Sequence, residues 1–221
     1  MRVARLGFFL AIVLAAFPSF SFAGTVNMDF VTVGGASIGG EYVYPYYFSI
    51  NGSGTLTPLI CDTYDKSIGF GETWTANVVS LNSGQGLWSG TAGTKGYEAA
   101  AIIFSWLLNG TVVDGQAVTA ATGNLAIWGL FDGGRSNSGW TSYEQNLINT
   151  ALGMTLAQSS AFYSQFTVYV PTDTQANGPQ EFIRYNNGGL TPAPLAEPAS
   201  LVTLAGSLLA LGGVVRRRVK I

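Results

Sequence analysis

Two residue counts limit the chemistry open to this chain. Its 221 residues include no histidine and a single cysteine, Cys61. Without histidine there is no Ser-His-Asp or Cys-His catalytic group, and the usual zinc sites lose their commonest ligand. One cysteine also excludes a disulfide within the chain, so any catalysis depends on carboxylates or on the Cys61 thiol.

Three acidic residues are the candidates for carboxylate chemistry. Asp62 and Asp65 flank a predicted turn, but their spacing lacks the alternating Asp/Asn ladder and distal glutamate of a calcium loop, which favours a solvated turn. Glu98 begins a predicted helix, where a negative charge is favoured by the helix dipole. Asp62 and Glu98 are also the pair that a carbohydrate hydrolase would use, facing each other across roughly 5 to 10 Å. No metal site is predicted.

Strands are predicted on both sides of these residues. Segments rich in aromatic and β-branched residues alternate with Asn-Gly and Gly-Phe-Gly turns, which is typical of antiparallel strands. Pro45 within the first segment predicts an edge strand or a bulge, because proline cannot donate to the ladder. The predicted strands are 42–50, 56–61 and 74–81, forming one antiparallel sheet, followed near the end of the body by 166–170 and 182–185.

Helices are predicted between the two groups of strands. Apolar residues recur at helical spacing over 97–108, and Asn109-Gly110 ends the run. A second helix is predicted from near Asn124 to Asp132-Gly133-Gly134, and a third after a capping box formed by Ser142 and Gln145. The predicted fold is therefore α+β: a mainly antiparallel β sheet or sandwich with an insert of about three helices, plus an N-terminal signal helix and a C-terminal hydrophobic helix.

The N-terminus has the pattern of a signal peptide. Arg2 and Arg5 precede an apolar stretch over 6–17, and small residues follow at the predicted cleavage site between Ala23 and Gly24. Residues 1–23 are therefore predicted to direct the chain through the Sec translocon, and Gly24 to begin the mature protein.

The C-terminus carries a second short apolar segment. Residues 199–215 would form a helix of ~26 Å, against a hydrocarbon core of ~30 Å. Arg216, Arg217 and Arg218 follow it and are expected to stay in the cytoplasm, because basic residues beside a spanning segment resist translocation. The segment 186–196 is predicted to be a Gly/Pro linker. An ordinary tail anchor is one interpretation, and a transient sorting signal is the other.

The tail resembles the PEP-CTERM sorting signal of Gram-negative bacteria that make exopolysaccharide. Glu197, Pro198, Ala199 and Ser200 match its Glu-Pro-Ala-Ser core, and the spacing and the final arginines match as well. Ala196 stands where the motif has its first proline. The resemblance implies that residues 197–221 hold the protein briefly in the inner membrane until an exosortase cuts it, after which the body lies at the cell surface or outside the cell.

The body between these signals is acidic. Residues 24–196 contain four basic and eleven acidic side chains, a formal charge of −7. Nucleic acid is excluded as an expected partner, because phosphate binding needs clustered lysine and arginine. The segment 24–185 is long enough for one self-sufficient core, so a single exported domain is predicted.

The body resembles the thioester domain of bacterial surface adhesins. Leu59-Ile60-Cys61-Asp62 matches the cysteine motif of that family, and Asn124-Leu125-Ala126-Ile127-Trp128 matches its Gln-x-Ala-apolar-Trp motif. Further similar stretches are 71–76, 97–100 and 178–182. In that family the cysteine sulfur displaces ammonia from the glutamine, and the resulting thioester captures amines on a target surface.

Asn124 stands where the family has its glutamine. The asparagine carbonyl lies one methylene closer to the backbone, and reacting atoms must lie roughly 3 to 3.5 Å apart. The expectation is therefore a domain that keeps the fold while the chemistry of Cys61 and Asn124 is lost or altered. Plainer roles are also open: a small buried residue or a reactive free thiol for Cys61, and a helix N-cap for Asn124.

These features together predict an exported, non-enzymatic protein of the surface or extracellular matrix. Its expected task is adhesion or cohesion in the exopolysaccharide layer, without a cofactor. Expected partners are the Sec translocon, an exosortase, the inner membrane, and extracellular polysaccharide or an amine-bearing surface. The alternatives are a covalent adhesin with an internal thioester at Cys61 and a carbohydrate hydrolase using a carboxylate pair.

Overall fold

The computed structural model describes residues 24–131 and 133–186. The predicted signal peptide with Ala23, the linker beyond residue 186, and the sorting tail with Ala196 to Ser200 and Arg216 to Arg218 lie outside these residues. Among the residues described, no helix has the length and apolar character needed to cross a membrane.

Six antiparallel strands form a closed barrel. The order around the barrel is β1, β4, β5, β10, β9, β6 and back to β1. Two short two-stranded ribbons lie outside it, β2 with β3 and β7 with β8. The strands are β1 (Thr25–Val33), β2 (Ser37–Ile38), β3 (Glu41–Tyr42), β4 (Tyr46–Ile50), β5 (Thr57–Cys61), β6 (Thr73–Ser80), β7 (Val112–Val113), β8 (Gln116–Ala117), β9 (Phe166–Pro171) and β10 (Phe182–Tyr185).

The helices occupy the part of the chain between β6 and β9. They are α1 (Gly93–Asn109), α2 (Ala120–Phe131), α3 (Ser142–Met154) and the single turn α4 (Ser160–Tyr163). Three short 3₁₀ turns accompany them at Leu81–Ser83, Gly133–Ser136 and Thr155–Ala157. The first three helices contact one another, and α1 and α2 are apolar on most sides, which is typical of helices covered by other elements.

Successive side chains of a strand point to opposite faces of the sheet, so the buried residues form two clusters. One cluster fills the barrel with a side chain from every barrel strand and adds Leu125 and Trp128 of α2. The other lies between the outer face of β5, β6, β9 and β10 and the helices. In β5, Leu59 and Cys61 belong to the first cluster while Ile60 belongs to the second. Cys61 therefore lies in the barrel interior, in the cluster that α2 also joins.

The structure confirms a mixed fold with mostly antiparallel strands, and it corrects the arrangement of those strands. The sheet closes into a barrel instead of forming an open sheet or a sandwich. Strands β4 and β5 pair as predicted, but β6 pairs with β1 and β9. The first strand, β1, was not predicted, although Met28 and Phe30 alternate with less buried neighbours along it.

The edge position predicted from Pro45 is wrong. The predicted strand 42–50 is broken at the cis Tyr44–Pro45 peptide, and β4 begins only at Tyr46. Pro45 therefore lies before the strand, and β4 is paired on both sides, with β1 and with β5. The irregular position is in β1, where the register shifts between Phe30 and Thr32.

Two predicted helix starts are also corrected. The second helix begins at Ala120, because Thr119 and Thr122 exchange side-chain to backbone hydrogen bonds of 3.0 and 3.2 Å that satisfy its first amides. Asn124 is consequently an interior helical residue and not an N-cap. The capping box of the third helix is formed by Thr141 and Glu144, one residue earlier than predicted. The end of α1 at Gly110, in the left-handed conformation, is as predicted.

Replacing Thr141 with alanine is expected to lower the free energy of unfolding by about 1 kcal/mol. The Thr141 hydroxyl accepts from the Tyr143 amide at 3.1 Å and donates to Glu144, whose side chain is buried. Ser142→Ala is the matched control, and it is expected to change stability little. Urea denaturation of both variants measures the difference, and an equal effect of the two substitutions would contradict the assignment of the cap.

Candidate functional site

The Cys61 thiol lies at the end of β5 and is completely buried. Its Sγ donates to the backbone oxygen of Thr63 at 3.1 Å. Phe182 of β10 is its partner across the ladder, and Trp128 of α2 belongs to the same apolar cluster. A thiol in such surroundings is shielded from solvent, which disfavours reaction with soluble reagents.

The structure brings Asn124 to Cys61, through the backbone of the cysteine. Asn124 Nδ2 donates to the Cys61 carbonyl oxygen at 2.9 Å, and Asn124 Oδ1 accepts from the Tyr44 amide at 2.9 Å. The asparagine is completely buried. Its amide therefore joins α2 to the end of β5 and to the segment that precedes β4.

These two hydrogen bonds give Asn124 a structural role. The amide nitrogen, which would leave as ammonia in an acyl transfer, is held by the Cys61 carbonyl oxygen. The amide oxygen is held by a backbone amide from a different segment. Both polar ends of the side chain are thus paired in the interior, where leaving either partner unpaired is costly. Asn124 therefore holds three segments of the fold together through its side-chain hydrogen bonds.

A second buried group lies beside Cys61 and contains two carboxyl groups. Asp62 and Glu181 are both completely buried, and their side chains are hydrogen-bonded to each other. The Asp62 amide also donates to the Glu181 backbone oxygen at 3.3 Å. The predicted solvated turn is therefore wrong for Asp62, whereas Asp65 is exposed as predicted.

Glu181 connects this carboxyl pair to the helical part of the fold. Its Oε1 accepts from the Tyr97 hydroxyl of α1, and its Oε2 accepts from the Leu87 amide at 2.6 Å. The same Tyr97 hydroxyl accepts from the Trp88 amide at 2.9 Å. Gly86 lies so close that a Cβ atom there would be 2.2 Å from the Tyr97 oxygen. The loop between β6 and α1 is thus fixed by one tyrosine and one glutamate.

Burial sets the protonation of this group. Removal from solvent raises the pKa of Glu181, and the hydrogen bonds from Asp62, Tyr97 and Leu87 with the charge of Lys66 oppose that rise only in part. Burial also raises the pKa of Tyr97, and the nearby Glu181 and Asp62 charges add to the effect. A hydrogen bond between two carboxyl groups requires a proton on one of them, so the contact between Asp62 and Glu181 is formed with one shared proton.

Hydrogen bonds of Thr63 and Gln180 also join the segment after β5 to the segment before β10. The Thr63 hydroxyl donates to Asp62 Oδ1 at 3.2 Å and accepts from the Glu181 amide at 3.1 Å. Gln180 Nε2 donates to the Thr63 carbonyl oxygen at 3.0 Å and also to the Lys66 carbonyl oxygen. Thr63 is completely buried and Gln180 is 7% exposed.

Glu98, the other predicted acid, has different neighbours. Glu98 is half-buried on α1, and burial raises its pKa while Lys95 lowers it. Its charge acts on Tyr163, whereas Asp62 acts on Glu181 and Tyr97. Across the described part of the chain, no three His, Cys, Asp or Glu side chains are grouped to hold a metal ion.

Comparison with protein families, with curated proteins and with solved structures finds no match to this chain. The assignment of the site therefore depends on its own residues.

Glu181, Tyr97, Thr63 and Gln180 were not predicted as functional residues. Glu181 and Gln180 lie in the stretch 178–182 that resembles adhesin bodies, but that resemblance gave them no role. One signal was available: two polar residues, Gln180 and Glu181, stand directly before the apolar start of β10. Tyr97 lies in the similar stretch 97–100, but a tyrosine on the apolar face of a helix is ordinarily a core residue, so nothing there indicated its contact with Glu181.

Proposed function

We propose that this protein is an exported, non-enzymatic component of the cell surface or extracellular matrix. In this proposal an exosortase processes the PEP-CTERM-like tail, and the body acts in adhesion or cohesion within the exopolysaccharide layer. The support for export is the sequence at both ends, where basic residues lie on the cytoplasmic side of two apolar segments.

One observation carries the statement about the body: the Asn124 amide is completely buried with hydrogen bonds at both of its ends. An acyl donor must present its carbonyl carbon to the nucleophile, and a side chain engaged in this way is used for packing instead. In this proposal the body keeps a fold like that of a thioester domain, and its asparagine has a structural role. Its formal charge of −7 suits hydrated, uncharged or cationic partners.

Fractionation of a Gram-negative host that has an exosortase, with intact-mass analysis of the product, tests export. The expected mature form begins at Gly24 and ends near Glu197, and it is found outside the inner membrane. Pro198→Ala is expected to accumulate uncut protein in the membrane fraction, whereas Pro192→Ala in the linker serves as the matched control. Full-length protein dissolved in the cytosol would contradict the proposal.

A covalent adhesin is the second candidate, because the fold places Asn124 and Cys61 in direct contact. If Cys61 were acylated by Asn124, the protein would be lighter by one ammonia molecule, and methylamine would restore the mass with its own addition. The tryptic fragment ending at Lys66 would then be joined to the fragment 96–135. The structural role of Asn124 predicts an unshifted mass and two separate fragments, so their covalent joining would replace the first proposal for the body.

A further inference from the structure

Two aromatic side chains, Tyr42 and Phe70, lie exposed beside each other on the surface and are called the aromatic pair. Phe70 is 58% exposed and Tyr42 is 48% exposed, and their ring centroids are 6.0 Å apart. Tyr42 belongs to β3, whereas Phe70 lies in the loop between β5 and β6. Among the described residues, no other aromatic side chain is this exposed. Two exposed rings in contact are the kind of surface feature that marks a binding site.

The ring of Phe70 is held in place by the backbone around it. The turn 69–72 is closed by hydrogen bonds from the Glu72 amide to the Gly69 carbonyl oxygen at 3.0 Å and from the Gly69 amide to the Glu72 carboxylate at 2.8 Å. Phe30 of β1 bonds this turn twice, at 3.0 Å to the Glu72 oxygen and at 2.7 Å from the Gly71 amide. Its ring also stacks on Phe70, with centroids 5.1 Å apart. A ring fixed before binding loses little entropy when a ligand arrives.

One exposed carboxylate accompanies each ring of the aromatic pair. Glu72 is exposed and lies two residues beyond Phe70, in the same closed turn. Glu41 is exposed and precedes Tyr42 in β3. Burial raises the pKa of Tyr46 and the Glu41 charge adds to the rise, while the Tyr46 hydroxyl donates to the Tyr42 carbonyl oxygen. The negative charge of Glu41 therefore lies near the Tyr42 end of the pair.

The basic side chains of the body are engaged by other groups. Residues 24–186 contain four of them. Lys66 donates to the Gln175 oxygen at 2.9 Å, Lys95 acts on Glu98, Arg135 lies over the Trp140 ring at 5.7 Å, and Arg184 donates to the Tyr169 hydroxyl at 3.4 Å. The two carboxylates beside the aromatic pair are therefore available to a cation from outside the chain.

Exposed rings flanked by carboxylates suit a cation that also has an apolar face. A cation over an aromatic ring is attracted by the negative charge of the ring face. A carboxylate accepts strong hydrogen bonds from an ammonium group and further ones from hydroxyl groups. A sugar ring that carries an amine meets all of these requirements, because its C–H face packs on an aromatic ring while its ammonium and hydroxyl groups reach the carboxylates.

We propose that Tyr42 and Phe70 bind a cationic polysaccharide built from amino sugars, and that Glu41 and Glu72 pair with its ammonium groups. This inference rests on the proposed function, since it names the class of polysaccharide to which the body adheres. An acidic polysaccharide or an anionic lipid surface would be repelled by the two carboxylates. A second copy of the chain fits poorly, because two aromatic side chains bury roughly 300 to 500 Å², against roughly 800 Å² per partner in a stable interface.

Isothermal titration calorimetry with the purified full chain tests the ligand class. The probes are hexamers of glucosamine, of N-acetylglucosamine and of galacturonic acid, which are cationic, neutral and anionic. We expect the glucosamine hexamer to bind, and to bind more weakly as the salt concentration is raised. The N-acetylglucosamine hexamer should bind more weakly and the galacturonic acid hexamer not at all. Equal binding of the first two probes, or no binding of glucosamine, would overturn the proposal.

Variants of the aromatic pair distinguish this site from a general attraction between an acidic protein and a cationic polymer. Phe70→Ala and Tyr42→Ala keep every charge, and each is expected to raise the Kd for the glucosamine hexamer about 2- to 5-fold. Leu156→Ala is the matched control, since Leu156 is 95% exposed and lies in the turn Thr155–Ala157. An unchanged Kd in both ring variants, or an equal rise in Leu156→Ala, would overturn the proposal.

Glu72→Gln tests the carboxylate without disturbing the turn, because glutamine still offers an oxygen to the Gly69 amide. Asp173→Asn removes one negative charge at another exposed position and is its control. We expect Glu72→Gln to weaken glucosamine binding more than Asp173→Asn does, and equal effects would contradict the role of Glu72. The titration does not depend on export: a protein that is cut and exported but does not bind loses this inference alone, whereas one that binds but stays uncut in the cytosol loses the proposed function alone.

Discussion

Replacing Glu181 with alanine is expected to lower the free energy of unfolding by about 2 to 5 kcal/mol, because each buried polar group left without its partner costs about 1 to 3 kcal/mol. The substitution leaves the Tyr97 hydroxyl, the Leu87 amide and the Asp62 carboxyl without the group that they contact now. Tyr97 and Asp62 are buried, so water does not replace the missing partner there, and the Leu87 amide is partly buried. Urea denaturation near neutral pH measures the change.

Glu181→Gln is the matched control for this prediction. Glutamine keeps the shape of the side chain, its oxygen can accept from Tyr97 or Leu87, and its nitrogen can donate to Asp62 without a titrating proton. Its expected effect near neutral pH is therefore much smaller than that of alanine. Equal losses for both variants would show that the charge and hydrogen bonds of Glu181 contribute less than its packing.

Glu181 also makes the free energy of unfolding depend on pH. Burial raises the pKa of Glu181 above its ordinary value of 4.5, so the folded protein holds a proton that the unfolded chain releases. A group of this kind contributes its full stabilisation below the unfolded pKa and loses it as the pH rises through the folded pKa. The free energy of unfolding should therefore fall as the pH is raised above 4.5, the ordinary pKa of this carboxyl group.

Glu181→Gln should flatten that slope because glutamine does not titrate. The urea midpoints of the native chain and of the variant, measured across this pH range, give the comparison. A native protein that gains stability with rising pH, or a variant with an unchanged slope, would contradict the shared proton between Asp62 and Glu181.

Local signals in the sequence were sufficient for the elements that depend on local chemistry. The end of α1 follows from Asn109-Gly110, because glycine takes the left-handed conformation that Gly110 adopts. Strand β10 was predicted with its observed bounds, Phe182–Tyr185, from four residues suited to a strand. The start of α2 was missed because Thr119 and Thr122 form a reciprocal cap in which a threonine stands where the usual capping box has an acid or a glutamine.

Long-range pairing was outside the reach of those signals. Barrel closure depends on β1 pairing with both β4 and β6, and no local pattern states which strands become neighbours. The burial of Asp62 has the same origin. An aspartate beside a turn is ordinarily solvated, and its burial here is accompanied by a contact with Glu181, from a segment distant in sequence. The pair of Cys61 and Asn124 was identified from the sequence, but the direction of the asparagine amide was not.

The orientation of the Asn124 side-chain amide gives the last prediction. Asn124→Ala is expected to lower the free energy of unfolding by about 2 to 6 kcal/mol, because it leaves two backbone groups that are buried or partly buried without partners, at about 1 to 3 kcal/mol each. These are the Tyr44 amide and the Cys61 carbonyl oxygen, each at 2.9 Å from the asparagine side chain. Asn109→Ala is the matched control, since Asn109 is exposed and bonds only within its own helix in the contacts described.

Asn124→Gln separates the structural role from the reactive one. Glutamine is the residue that the adhesin motif has at this position, so a latent thioester site would respond to it with the loss of one ammonia molecule and joining of Cys61 to residue 124. A purely structural role of Asn124 predicts a different result. The extra methylene of glutamine overpacks a completely buried site and lowers the free energy of unfolding by about 1 to 3 kcal/mol, and the mass of the variant equals that of its sequence. We expect the second result, because the spacing of α2 from β5 is set by the shorter amide, and intact mass with urea denaturation on one sample distinguishes the two.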